Sequence, residues 1–134
     1  MQAPFWKASG QERADLERDF LAVAHACHTV GIEMIVVPLV DNGGLSDRAQ
    51  EDDVVNFMLR HASLFASLSL RIIFECDFTP RELARLIDRL PADGFGINYD
   101  IGNSAALGFD PAEEFAAYGP VSYTHLTLPT NREV

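Results

Sequence analysis

Three short apolar runs, Ile32 to Val40, Leu70 to Phe74 and Phe95 to Tyr99, stand between segments of helical length and periodicity. This alternation constrains the chain more than any other feature. The first run is rich in Ile and Val and is interrupted only by Glu33. Such a run suits a strand buried on both faces of a parallel sheet. Parallel neighbours need crossover connections, which helices supply. The expected order is helix, strand, helix, strand, helix, strand, helix, and the expected fold class is α/β.

The helices carry their own start and stop signals. Ser9-Gly10-Gln11-Glu12 has the Ser-x-x-Glu form of a capping box, and Leu16, Phe20, Ala24 and Cys27 follow at helical spacing until Gly31 supplies a stop. Ser46 is the expected cap of the second helix, with Asp47 in its first turn. Val54, Val55, Met58, Leu59, Ala62 and Phe65 are its expected buried stripe. Thr79-Pro80-Arg81-Glu82 opens the third helix with a capping box and Pro at the first helical position. Its apolar face is Leu83, Leu86, Ile87 and Leu90. Asp110-Pro111 opens the fourth in the same way, and the residues between Tyr99 and Asp110 read as a loop.

Composition narrows the function classes. The net charge of −10 opposes a phosphate backbone, so no nucleic acid is expected as a partner. No apolar run reaches the roughly 20 residues that span a bilayer, and no secretory signal is recognisable, so a cytoplasmic protein without a membrane partner is expected. Cys27 and Cys76, the two cysteines, sit in apolar contexts and read as reduced, packed thiols. His25, His28 and His61 fall on helices and read as solvated or half-buried. Phe5 and Trp6 are either substrate-facing or locally packed, and Arg60, Arg71, Arg81, Arg85 and Arg89 form no recognisable phosphate nest.

Each strand-like run leads into a carboxylate: Val40 into Asp41, Phe74 into Glu75, Tyr99 into Asp100. Carboxylates gathered at one end of a parallel sheet repel one another unless a cation lies between them. Hard oxygen donors favour Mg²⁺ or Mn²⁺, and an added histidine would extend the choice to Co²⁺ or Zn²⁺. Asp41 fits a helix cap equally well. Glu75 and Asp100 are more telling, because Thr79 and Asp110 already supply the caps. An open doubly wound sheet and a closed barrel both accommodate the alternation. Gly43-Gly44 is no dinucleotide fingerprint, and no P-loop is present.

Ile73-Phe74-Glu75 followed by Asn98-Tyr99-Asp100-Ile101-Gly102-Asn103-Ser104 resembles the sugar phosphate isomerase/epimerase family of xylose isomerase-like (β/α)₈ TIM barrels. Phe5 to Ser9, Ile35-Val36-Val37-Pro38 and Gly108-Phe109-Asp110-Pro111 are similar to the same family, so the resemblance runs from Met1 to about Pro120. It implies a partial barrel, about strands four to six with flanking helices. It implies Glu75 as a metal ligand and proton-transferring base, Asp100 as a second ligand, and Asn103 as a contact to a substrate hydroxyl or the metal shell. The implied reaction moves a proton or hydride between adjacent carbons of a sugar or sugar phosphate, with a divalent metal (Mn²⁺, Mg²⁺, Co²⁺ or Zn²⁺) as cofactor. Relatives carry a further His on strand seven and a Glu on strand eight, which have no counterpart here. The alternatives are a non-catalytic α/β binding domain and a phosphodiesterase similar to the apurinic endonucleases of the same barrel superfamily.

Residues 121–134, VSYTHLTLPTNREV, resemble the translation of a transposase-type sequencing adapter, matching residue for residue over Val121 to Thr130. The expected organisation is therefore a barrel fragment over 1–120 and a non-native tail over 121–134, with the fragment inactive by itself. The tail is expected to pack poorly or by accident, although Val121-Ser122-Tyr123-Thr124 is strand-like and could be laid beside the third strand. His125 would then mimic the strand-seven ligand by position alone.

Overall fold

The structure, a computed structural model, describes residues 4–124, and not the side chains of Ile101, Asn103 and Thr124. His125 and the rest of the tail lie outside the described residues. The elements are α1 (Gly10–Thr29), β1 (Met34–Leu39), α2 (Arg48–Ser67), β2 (Arg71–Cys76), α3 (Pro80–Ile87), β3 (Phe95–Tyr99), α4 (Ile101–Leu107), α5 (Pro111–Tyr118) and β4 (Ser122–Thr124). The strands form one sheet in the order β1-β2-β3-β4, every pair parallel. The α/β expectation holds at that level. A doubly wound sheet reverses its strand order at a switch point; this one does not.

One core collects Val37 and Leu39 of β1, Ile72 and Phe74 of β2, and Phe95, Ile97 and Tyr99 of β3. These alternate positions share one face of the pleat. Ala24 of α1, Val54, Phe57 and Met58 of α2, Leu83 and Leu86 of α3 and Tyr118 of α5 close over them. The helices thus cover a single face, as right-handed crossovers in an unreversed order require. The opposite face carries Val36, Pro38, Arg71, Ile73, Glu75, Gly96 and Asn98. Ile73 is fully buried yet stands apart from the main core.

The expectation that the first strand is buried on both faces is wrong. Val36 and Pro38 are exposed, because β1 is an edge strand and no helix covers that face. β2 also runs two residues further than expected, since Pro38↔Glu75 and Leu39↔Cys76 continue its ladder with β1.

The caps hold in part. Ser9 makes no side-chain cap; Gly10 enters α1 with φ of +57°, and Ser9 offers only its carbonyl to Arg13 N–H at 3.3 Å. On α2 the cap is Asp47 rather than Ser46. Asp47 accepts from Gln50 N–H at 2.9 Å, and Gln50 Oε1 accepts from Ser46 N–H at 2.8 Å. Thr79 Oγ1 accepts from Glu82 N–H at 3.4 Å, and Asp110 from Ala112 N–H at 2.9 Å. Gly31 does stop α1. Its φ of +80° lets Gly31 N–H reach His28 O and Ile32 N–H reach Cys27 O, which closes a Schellman motif.

α2 ends in the same motif, but its left-handed residue is Ser69, at φ of 54°. A Cβ is strained there and glycine is not. Ser69→Gly is expected to stabilise the chain by about 1 kcal/mol, read as a higher urea midpoint with an unchanged slope.

The aromatic residues near the amino terminus are packing residues. The Phe5 ring lies 4.5 Å from that of Phe57, and Trp6 Nε1 donates to Gly43 O at 3.1 Å. Gly43 is confined in turn, since a Cβ there would stand 2.4 Å from Pro38 O. Arg85 and Arg89 of α3 grip Glu51 of α2. Arg85 binds both carboxylate oxygens at 2.9 and 2.7 Å, and Arg89 Nη1 donates to Oε2 at 2.5 Å. Finally, Ser122–Thr124 lies beside β3 in parallel, with Asn98 opposite Tyr123. The Tyr123 ring covers Gly96, where a Cβ would stand 2.4 Å from it, and the Arg71 guanidinium sits 5.2 Å from the ring centre.

Candidate active site

β2 and β3 are neighbours and parallel, so their carboxyl ends lie at the same edge of the sheet. Phe74 pairs with Ile97, and both point into the helix-covered core. The next residues, Glu75 and Asn98, therefore point to the opposite face. Asp100 follows β3 directly. A narrow recess at this end of the sheet is bordered by Glu75, Asn98 and Asp100, and the rest of its lining, with Leu83, Ile97, Tyr99, Glu114 and Tyr118, belongs to the helix-covered side. Glu75 is half-buried and Asp100 is exposed. The Asn98 Oδ1 atom is buried and accepts no hydrogen bond from the described residues.

The other sequence candidates fall differently. Asp41 begins a 3₁₀ turn over Asp41–Gly43, with φ of 50°, and is not among the residues of the recess. Asn103 lies on α4, and its side chain is outside the described part. His25 and His28 are exposed; His28 Nδ1 lies 2.9 Å from Leu68 O. His61 is half-buried between Phe57 and Phe65, and burial, then the charge of Arg60, lowers its pKa. Both cysteines are free. Burial pushes the Cys76 thiol up to about 12, so it stays protonated at neutral pH and is a poor nucleophile.

The floor of the recess went unforeseen. Glu114 of α5 is 1% exposed. Its carboxylate accepts from Tyr99 OH at 2.9 Å, Ser104 Oγ at 2.6 Å and Tyr118 OH at 3.0 Å. Burial, and next the Glu114 carboxylate, raise the pKa of both tyrosines, so each keeps the proton it donates. Only Glu114 and Tyr118, four apart on one helix, carried a sequence signal. The separation of 15 positions between Tyr99 and Glu114 hides the rest.

α4 was also unforeseen. Gly102-Asn103-Ser104 has turn composition, yet Asp100 O accepts from Ser104 N–H at 3.0 Å and begins a helix. Gly108, at φ of +78°, ends it through Gly108 N–H to Ala105 O and Phe109 N–H to Ser104 O.

No family model, curated protein or solved structure matches the chain.

The residues at this end of the strands carry hard oxygens, the carboxylates of Glu75 and Asp100 and the amide carbonyl of Asn98. That set suits Mg²⁺ or Mn²⁺ in kind. Among the described residues no group of three or more His, Cys, Asp and Glu side chains is placed to hold a metal. Among the described residues no helix is long and apolar enough to cross a membrane.

Proposed function

We propose that the sheet is a segment of a (β/α)₈ barrel, about strands four to six, whose parent protein is a metal-dependent sugar or sugar phosphate isomerase or epimerase. The observation that carries this reading is the pair Glu75 and Asp100. They stand at the same end of adjacent parallel strands, in a sheet whose order does not reverse. Barrel enzymes place their chemistry at that end of the strands. Their shared end of the sheet supports a catalytic site over a non-catalytic binding domain, and the net charge of −10 disfavours the phosphodiesterase alternative.

Glu75 and Asp100 would hold a divalent cation, with Asn98 Oδ1 as a further oxygen donor or an acceptor for a substrate hydroxyl. When bound, such a cation polarises neighbouring sugar oxygens and offsets the charge that develops on them. Glu75 is half-buried, on the uncovered face of the sheet. It takes the proton from one carbon and returns it to the next. Ligands from other strands of the barrel would complete the shell.

The test is Mn²⁺ uptake by this chain, followed by the loss of the free-ion paramagnetic resonance signal. Glu75→Gln and Asp100→Asn are each expected to weaken uptake by roughly 100-fold, at or beyond the 10- to 100-fold range of outer-shell losses. In a complete barrel carrying these residues, Glu75→Gln should abolish isomerisation with the circular dichroism unchanged. Uptake indifferent to both substitutions would remove the site.

A further inference from the structure

Glu114 is buried, and among the described residues it has no ion-pair partner. Burying an anion is costly unless its lone pairs are filled. Three hydroxyl donors fill them, from β3, α4 and α5 itself. Two of these donors bracket Asp100. Tyr99 is the residue before it, and Ser104 is the residue whose N–H closes the first helical turn on the Asp100 carbonyl at 3.0 Å. Asp100 itself is exposed, at a junction between a strand and a seven-residue helix. A carboxylate anchored in the core is bonded on both sides of that junction.

We propose that Glu114 is a positioning residue for the site, holding the Asp100 carboxylate at the mouth of the recess through Tyr99 and Ser104. This rests on the metal-site reading for its purpose but not for its geometry. Glu114 touches neither substrate nor metal; it acts through the two hydroxyls. Tyr118 contributes the third bond to the cage but does not adjoin Asp100 in the chain, so it serves as the control.

The experiment uses the full chain and two readouts. The first is amide hydrogen exchange over residues 100–104, which reads the clamp without metal. Ser104→Ala is expected to speed exchange there roughly tenfold, and Ser104→Thr, which keeps the hydroxyl, to restore it. Tyr118→Phe should leave it within about twofold. The second readout is Mn²⁺ affinity. Ser104→Ala and Glu114→Gln should lower it roughly 10- to 100-fold, as losses of outer-shell support do, and Ser104→Thr should restore it. If Glu114→Gln does not fold, the Ser104 pair carries the test alone.

Unchanged exchange in Ser104→Ala overturns the clamp, whatever the metal result. Faster exchange with Mn²⁺ affinity unchanged, in a chain whose affinity Asp100→Asn does lower, reduces Glu114 to a structural role while the metal site stands. Mn²⁺ uptake that is absent, or indifferent to Asp100→Asn, removes the metal site, and the positioning role with it.

Discussion

Phe57→Ala is expected to destabilise the chain by about 3–5 kcal/mol, the range for emptying an aromatic site in a packed core. Phe57 is fully buried on α2. Its ring meets Phe5 at 4.5 Å, His61 at 4.7 Å and Phe20 at 5.4 Å, the last edge to face. These rings come from the amino-terminal turn, α1 and α2, so the void would open where three elements meet and could not collapse within one. Leu59, two positions on, is 46% exposed, and Leu59→Lys should change stability by no more than about 0.5 kcal/mol. Urea denaturation of the two variants tests the contrast. Equal losses would mean that α2 is rotated from the orientation described.

Glu51→Gln should cost on the order of 3 kcal/mol at neutral pH. The bidentate bond from Arg85 comes first among the causes that bring the Glu51 carboxyl down to about 2. A group whose pKa is depressed in the folded state gives stability that is present above its unfolded value. That stability is lost as pH falls towards the folded value. The unaltered chain should therefore lose this contribution between about pH 4.5 and pH 2. Glu51→Gln should flatten that part of the stability profile. The neutral amide keeps one acceptor for Arg85 but loses the charge that Arg85 and Arg89 share, and both arginines are partly exposed and can turn to water. Denaturant midpoints measured from pH 7 to pH 2.5 decide it. A parallel acid limb in the variant would place the titration elsewhere.

The two carboxylates of the recess were legible because each directly follows a strand core, and strand cores announce themselves by apolar, β-branched runs. Phe95 to Tyr99 came out at its observed bounds for that reason. The cage beneath them was not legible. Glu114 reads as a first-turn acidic residue of α5, favoured there by the helix dipole. What makes it a buried acceptor is the approach of Tyr99 and Ser104 from two other elements. Glu51 is a second case, since only the packing of α3 against α2 brings two guanidinium groups onto it.

The sequence by itself determined the alternation of helix and strand, the helix stop at Gly31, the Thr79 and Asp110 caps, and the bounds of β3. These depend on neighbours within a few positions, where backbone conformation and capping act. Tertiary structure decided which face of each element is covered. β1 is apolar throughout yet exposed along one face, because it lies at the sheet edge and the helices all pack on the other side. The same placement puts Phe57 inside and Leu59 outside on one helix turn. Burial is a property of what approaches a residue from elsewhere in the chain, and local periodicity carries that information only where one face is apolar and the other is not.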